Sequence, residues 1–171
     1  NGEYLALVSP GGQVATAFAP SYPPQRADVA YGFIPGSAAF GYLPTPTPRR
    51  ANAPGGPGFA PDVEMVPRSR TYAEPIEVRL TISTNDGPVP AGTLVRYTTD
   101  GSLPTTNSAP WPGVLALTNQ AVQVRARAFA PGLLDGRPRS EMYIPLSPTV
   151  ARFTSDVPVL IIHDFNRGRP P

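Results

Sequence analysis

Apolar and polar residues alternate with a period of two over several short stretches of the chain, which is the signature of half-buried strands. The clearest is Ile76-Glu-Val-Arg-Leu-Thr-Ile82, where Ile76, Val78, Leu80 and Ile82 share one face and Glu77, Arg79 and Thr81 the other. Val122-Gln-Val-Arg-Ala-Arg-Ala-Phe129 follows the same rule, with Val122, Val124, Ala126 and Ala128 inward and Arg125 and Arg127 outward. Shorter runs are Asp62–Val66, Leu94–Thr98, Val114–Leu117 and Met142–Ile144. Thr99-Asp-Gly-Ser102 and Thr118-Asn-Gln120 supply turns between them, because Asp-Gly reverses a chain at little steric cost.

These half-dozen short strands predict an all-β, immunoglobulin-like sandwich over residues 69–147. No disulfide can pin it, so Trp111, Tyr97 and Phe129 are the expected large core residues.

The flanks are less complete. Glu3–Val8 and Gln13–Phe18, joined by Ser-Pro-Gly-Gly at 9–12, read as a hairpin, with Val14, Thr16 and Phe18 on one face. Ala19–Pro24 carries too much proline for a central strand, and Asp28–Phe33 and Ala38–Leu43 are further extended runs. This incomplete β-segment, residues 1–53, needs a partner to cover its apolar face. The composition turns Pro/Gly-rich from Pro44 to Pro67, and residues 54–68 are expected to be a linker of polyproline character with glycine joints. Beyond it, residues 148–171 restart a strand pattern at Thr149–Thr154 and Val157–Ile162. Val159, Leu160, Ile161 and Ile162 form a continuous apolar run expected to be a strand that docks on a partner.

Composition narrows the chemistry. Proline (25) and glycine (16) together exclude a helical bundle, since proline costs roughly 3 kcal/mol inside a helix. Without cysteine there are no thiolate metal sites or cysteine nucleophiles, and a single histidine leaves no multi-histidine metal centre. The 14 basic residues are all arginine and are scattered in pairs against 12 acids, which does not describe a nucleic-acid face. The longest apolar stretch falls far short of the roughly 20 residues needed to cross a bilayer, so no transmembrane segment is expected. Asn1 is not a natural start, which points to a removed leader or a piece of a longer polypeptide.

Few residues suggest a reaction. His163 and Asp164 are neighbours at a strand end, where successive side chains point apart, so they do not make an acid–base pair. Asn85-Asp-Gly87 and Asp100-Gly101 carry oxygens but no calcium-binding array, and are read as turns. Ala53–Gly58 lacks the Gly-Lys-Ser/Thr ending of a phosphate loop. Neither a catalytic residue, a metal nor a cofactor is therefore assigned. Trp111, with Tyr97 or Tyr143, could form a stacking platform for a glycan or a partner. Unpaired strand edges at both ends argue for contact with other protein chains.

Tyr97-Thr-Thr-Asp-Gly-Ser-Leu-Pro-Thr105, then Gly113–Thr118 and Val122–Phe129, resemble the chitobiase/β-hexosaminidase C-terminal-type domain, an Ig-like accessory module of bacterial secreted proteins. In that pattern Asp100 and Gly101 reverse the chain and Pro104 stiffens the exit loop. Gly2–Val8, Phe18–Gln25, Asp28–Gly32 and Thr45–Pro48 resemble the C-terminal half of a lamin-tail-type domain. Phe153–Ile162 resembles the segment leading into a spore-coat-kinase-like (CotH-type) domain, although nothing like a kinase's nucleotide lysine or metal acids is present. The resemblances imply an exported, extracytoplasmic, non-catalytic structural or interaction module that docks by strand edges and arms in a larger assembly. The alternatives are a carbohydrate-binding accessory module of a secreted enzyme and a fragment of a kinase-like multidomain protein.

Overall fold

A computed structural model describes residues 3–84 and 87–165. Asn85 and Asp86, read above as part of a turn, lie outside the described residues, as do Gly2 and residues 166–171. The chain divides into two compact units, residues 1–57 and 58–171.

The first unit is a pair of hairpins. Strands β1 (Leu5–Val8) and β2 (Val14–Phe18) pair antiparallel, and the Ser9 N–H donates to the Gln13 carbonyl (2.8 Å) across the turn where Gly12 takes φ +80°. Strands β3 (Ala30–Phe33) and β4 (Phe40–Leu43) pair in the same sense. Rings from three of these strands meet edge to face: Phe18 lies 5.8 Å from Tyr31 and 5.5 Å from Phe40, and Phe33 lies 5.2 Å from Phe40. Such pairs favour this tilt because the positive ring edge meets the negative face.

The expected linker at 54–68 is not one. Tyr42 and Gly56 exchange both backbone hydrogen bonds (2.8 and 3.0 Å). Glycine is required at that approach, since a Cβ on Gly41 would stand 2.5 Å from the Gly56 carbonyl oxygen. Further on, the Leu134 N–H donates to the Gly58 carbonyl (2.9 Å), and the Ala60 N–H donates to the Leu134 carbonyl (2.7 Å). Ala60 is fully buried, and β5 (Val63–Val66) is already a strand of the second unit. Proline and glycine here allow close backbone contact rather than freedom, because small or ring-locked residues fit where side chains would collide.

The second unit is a two-sheet sandwich. Its remaining elements are β6 (Arg70–Tyr72), β7 (Ile76–Ile82), β8 (Leu94–Thr98), β9 (Ala109–Pro110), β10 (Val114–Leu117), β11 (Val122–Phe129) and β12 (Arg139–Pro145), followed by α1 (Pro148–Ala151). One sheet has the order β10-β7-β5 and the other β6-β12-β11-β8-β9, with all pairs antiparallel except β6 with β12. Val63, Met65, Val78 and Leu117 from the first sheet face Tyr72, Val122, Val124, Ala126, Ala128 and Tyr143 from the second. Fully burying an aliphatic side chain contributes about 1.5–3 kcal/mol, so this layer is what holds the sheets together. Small and large residues sit side by side across the ladder. Ala126 stands opposite Tyr97, and Val122 opposite Tyr143, which leaves room for each ring.

The C-terminal arm also departs from expectation. Residues 149–154 do not form a strand. Ser147 caps a single helical turn, its Oγ accepting from the Val150 N–H (3.4 Å), with Pro148 in the first turn where its missing N–H costs nothing. The apolar run Val159–Ile162 carries no strand pairing, and Pro158 removes a donor from any ladder it could join.

Candidate functional site

The residues singled out by sequence fall in four places.

The first is a cleft at the β8–β9 margin of the sandwich. The Trp111 backbone N–H donates to the Val95 carbonyl (3.0 Å), which holds the residue at the end of β9. Its ring meets Tyr97 edge to face, with centroids 5.3 Å apart and planes at 74°. Both rings are half-buried and pack on the rim of the core, so the expectation that they are core residues is met only in part. Phe129 is buried at 8% exposure. Leu80, Ile82, Thr93, Leu94, Val95, Arg96, Pro110, Trp111 and Gly113 enclose about 480 Å³. Trp111 Nε1 and Arg96 Nε are both shielded from water and have no acceptor among the described residues.

The second is the Asp100–Gly101 turn, whose role is architectural. The Ser102 N–H and hydroxyl both donate to Asp100 Oδ1 (2.9 and 2.6 Å), and Gly101 takes φ +71°, which disfavours a side chain. Thr98 Oγ1 donates to the Ser102 carbonyl (2.6 Å), and Arg125 Nη1 donates to the Gly101 carbonyl (3.2 Å), tying the turn to β11. Pro104 is fully buried behind it. These bonds use Asp100 Oδ1 to close the turn.

The third is Tyr143, and its placement corrects its candidacy as a stacking residue. The ring is fully buried between the sheets and its hydroxyl donates to the Pro67 carbonyl (2.6 Å). Burial, reinforced by the nearby charge of Glu141, pushes the phenol well above its ordinary pKa. It has no face to offer a ligand.

Glu141, in phase with Tyr143 on β12, was not marked by sequence. It is the one buried acid among the described residues. Oε2 accepts from the Ser69 N–H (2.6 Å) and hydroxyl (2.5 Å), while Oε1 accepts from Arg139 Nε (2.7 Å) and Nη2 (2.7 Å). Burial alone would raise its pKa, but the two Ser69 bonds and then Arg139 outweigh that and hold it below the usual range. The signal was available: an acid two residues from a core tyrosine must find donors.

In the arm, Leu160 and Ile162 are 81% and 84% exposed, and Val159 and Ile161 are exposed beside them. His163 Nδ1 accepts from the Phe165 N–H (2.8 Å), a local turn contact. Among the described residues no three His, Asp or Glu side chains gather to hold a metal ion. Nor is any described helix long and apolar enough to cross a membrane.

Residues 67–140, somewhat under half the chain, match the family model of the chitobiase/beta-hexosaminidase C-terminal domain. That domain is a non-catalytic Ig-like module of glycoside hydrolases, which agrees with the all-β sandwich observed. No curated protein sequence and no solved structure matches the chain.

Proposed function

We propose that the chain is a non-catalytic, extracytoplasmic interaction module that acts through contact with other protein chains of a larger assembly. The observation that carries this reading is the amount of apolar side chain left open to water. On the first hairpin Leu5, Leu7, Val8 and Val14 are each at least half exposed, and in the arm Leu160 and Ile162 are almost bare. Contiguous exposed apolar surface marks interaction sites, and covering it contributes about 25 cal/mol per Å². The family match over 67–140 supports the non-catalytic role and the extracellular setting, because such domains occur in extracellular glycoside hydrolases. In this reading residues 1–53 and 148–171 are parts of lamin-tail-type and CotH-type neighbours in a large exported bacterial polypeptide.

The test is affinity recovery of the tagged chain from native envelope fractions, beside a Leu160→Asp/Ile162→Asp variant. A discrete chain recovered in fixed ratio with the wild type and lost with the variant is the expected result. Equal recovery by both would remove the arm from the docking surface.

A second reading, a carbohydrate-binding accessory module, is favoured by one observation: the Trp111 cleft with its apolar walls. Sugar rings stack their C–H faces on such surfaces, and polar groups then fix orientation.

A further inference from the structure

We propose that the cleft beside Trp111 takes the apolar arm of a second copy of this chain, so that copies join head to tail. This rests on the reading of the chain as a module that docks on other chains, and it names the partner and the place.

Strand β7 finishes on an open sheet edge. Strand β10 pairs with it only over residues 76–79, while β5 covers residues 79–82 on the other side. The Ser83 N–H donates to the Asp62 carbonyl (2.8 Å) on that β5 side. Backbone groups alternate in direction along an antiparallel strand, so those of Leu80 and Ile82 point to the side that β10 has left. They meet no backbone partner among the described residues. An edge of this kind accepts an added strand.

The cleft lies beneath that edge. Leu80 and Ile82 share the inward face of Val78, and Val95, Tyr97 and Trp111 of the facing sheet pack against the same core. The space of about 480 Å³ is lined mainly by apolar residues. A strand laid beside residues 80–82 therefore puts every second side chain into it.

The chain itself carries a segment that fits. Residues 159–162 are an unbroken apolar run outside any strand, with Leu160 81% and Ile162 84% exposed. These two are alternate residues, so in a strand they fall on one face, and the run is long enough for the three-residue edge. Pro158 comes just before it, at a strand's first position, where proline is tolerated.

The fit is between copies. The arm leaves from α1, which lines a surface pocket with Ala73, Glu74, Thr118 and Asn119, at the start of β7 and the end of β10. The cleft is at the other end of β7, and residues 156–164 are exposed throughout, so the arm does not fold back into it. An arm at one end and a cleft at the other make a heterologous contact, which each added copy can repeat.

The test uses the full chain in light scattering and sedimentation across a concentration series. The mass of the wild type is expected to rise past that of a dimer, and Leu160→Asp/Ile162→Asp to weaken association about tenfold or more, because the cleft would have to bury two charges. Both replaced side chains are exposed, so the variant should keep the wild-type urea midpoint, which separates lost docking from lost folding. A synthetic peptide of residues 156–164 should return the wild type to monomer. Added to the variant, it should change the fluorescence of Trp111, the sole tryptophan, saturably, while a peptide carrying the same two aspartates does not. Monomer at every concentration up to about 1 mM, a mass that stops at the dimer, or association that survives the two aspartates would overturn the head-to-tail contact. Peptide binding to the variant but not to a monomeric wild type would put each arm in its own cleft and overturn it equally. If such a result comes with loss of the variant's recovery from envelope fractions, the docking reading stands with a different partner. If recovery is equal as well, the arm's part in that reading falls too.

Discussion

Glu141 offers a sharp check on the energetics of the sandwich. The perturbation is Glu141→Gln. In the wild type Oε2 receives both Ser69 donors and Oε1 receives both Arg139 donors. Glutamine has one oxygen, so whichever way its amide turns, an NH₂ faces a pair of N–H or O–H groups. The carboxyl side chain is 5% exposed, but Arg139 is 36% exposed and Ser69 is an exposed residue, so both partners recover water in part. Ser69 Oγ also accepts from the Met142 N–H (2.9 Å), which limits how far it can turn away. With hydrogen bonds to a charged group contributing about 1.5–3 kcal/mol each, and rehydration of both Arg139 and Ser69 discounting their shares, the expected loss is about 1–2 kcal/mol at neutral pH. The folded-state pKa of Glu141 is depressed, so its contribution is present above the unfolded value of about 4.3 and is lost as pH falls through the folded value. The gap between wild type and variant should therefore be full at neutral pH and should narrow below about pH 4, where the protonated acid resembles the amide. Other carboxylates titrate in both proteins and cancel in the difference. Urea unfolding followed by Trp111 fluorescence at both pH values measures it, with an unchanged m-value as the check that the same surface unfolds. A gap under about 0.5 kcal/mol at neutral pH, or one that does not change with pH, would refute the assignment.

Other substitutions test other parts of the packing. Met65→Ala should cost about 2–5 kcal/mol, while the 44%-exposed Met142→Ala should stay within about 0.5; comparable urea midpoints would return residues 63–66 to a linker. Gly136→Ala places a Cβ 2.8 Å from the Pro61 carbonyl oxygen and 3.1 Å from those of Ala128 and Ala60, all backbone atoms, so a thermal midpoint lowered by several degrees is expected, about 1–3 kcal/mol. Tyr143→Phe should cost about 1–2 kcal/mol by leaving the Pro67 carbonyl without its 2.6 Å donor, and a midpoint equal to wild type would mean that water reaches that carbonyl.

The strands were legible where one face is buried and the other wet. On β7, and on β11 as far as Ala128, the period of two survives in the burial pattern, because register in a sandwich is set by that alternation. The Asp100-Gly101 reversal was legible for the same reason that it is architectural, since its chemistry is local to a few residues. What failed was whatever depended on another strand. The Pro/Gly stretch at 54–68 looked empty of core because its contribution is backbone, made to Tyr42 on one side and Leu134 on the other. Tyr143 looked like a surface aromatic because β12 is interior to its sheet only once β6 has paired beyond it, and that parallel pairing leaves no local trace. The Arg96–Arg127 opposition is likewise a property of register between β8 and β11. A sandwich decides which residues are core by alternation within a strand, but it decides which charges go unpaired by alignment between strands. The readable half of this chain is accordingly its scaffold, and the half that must be seen folded is the alignment of its charges and rings.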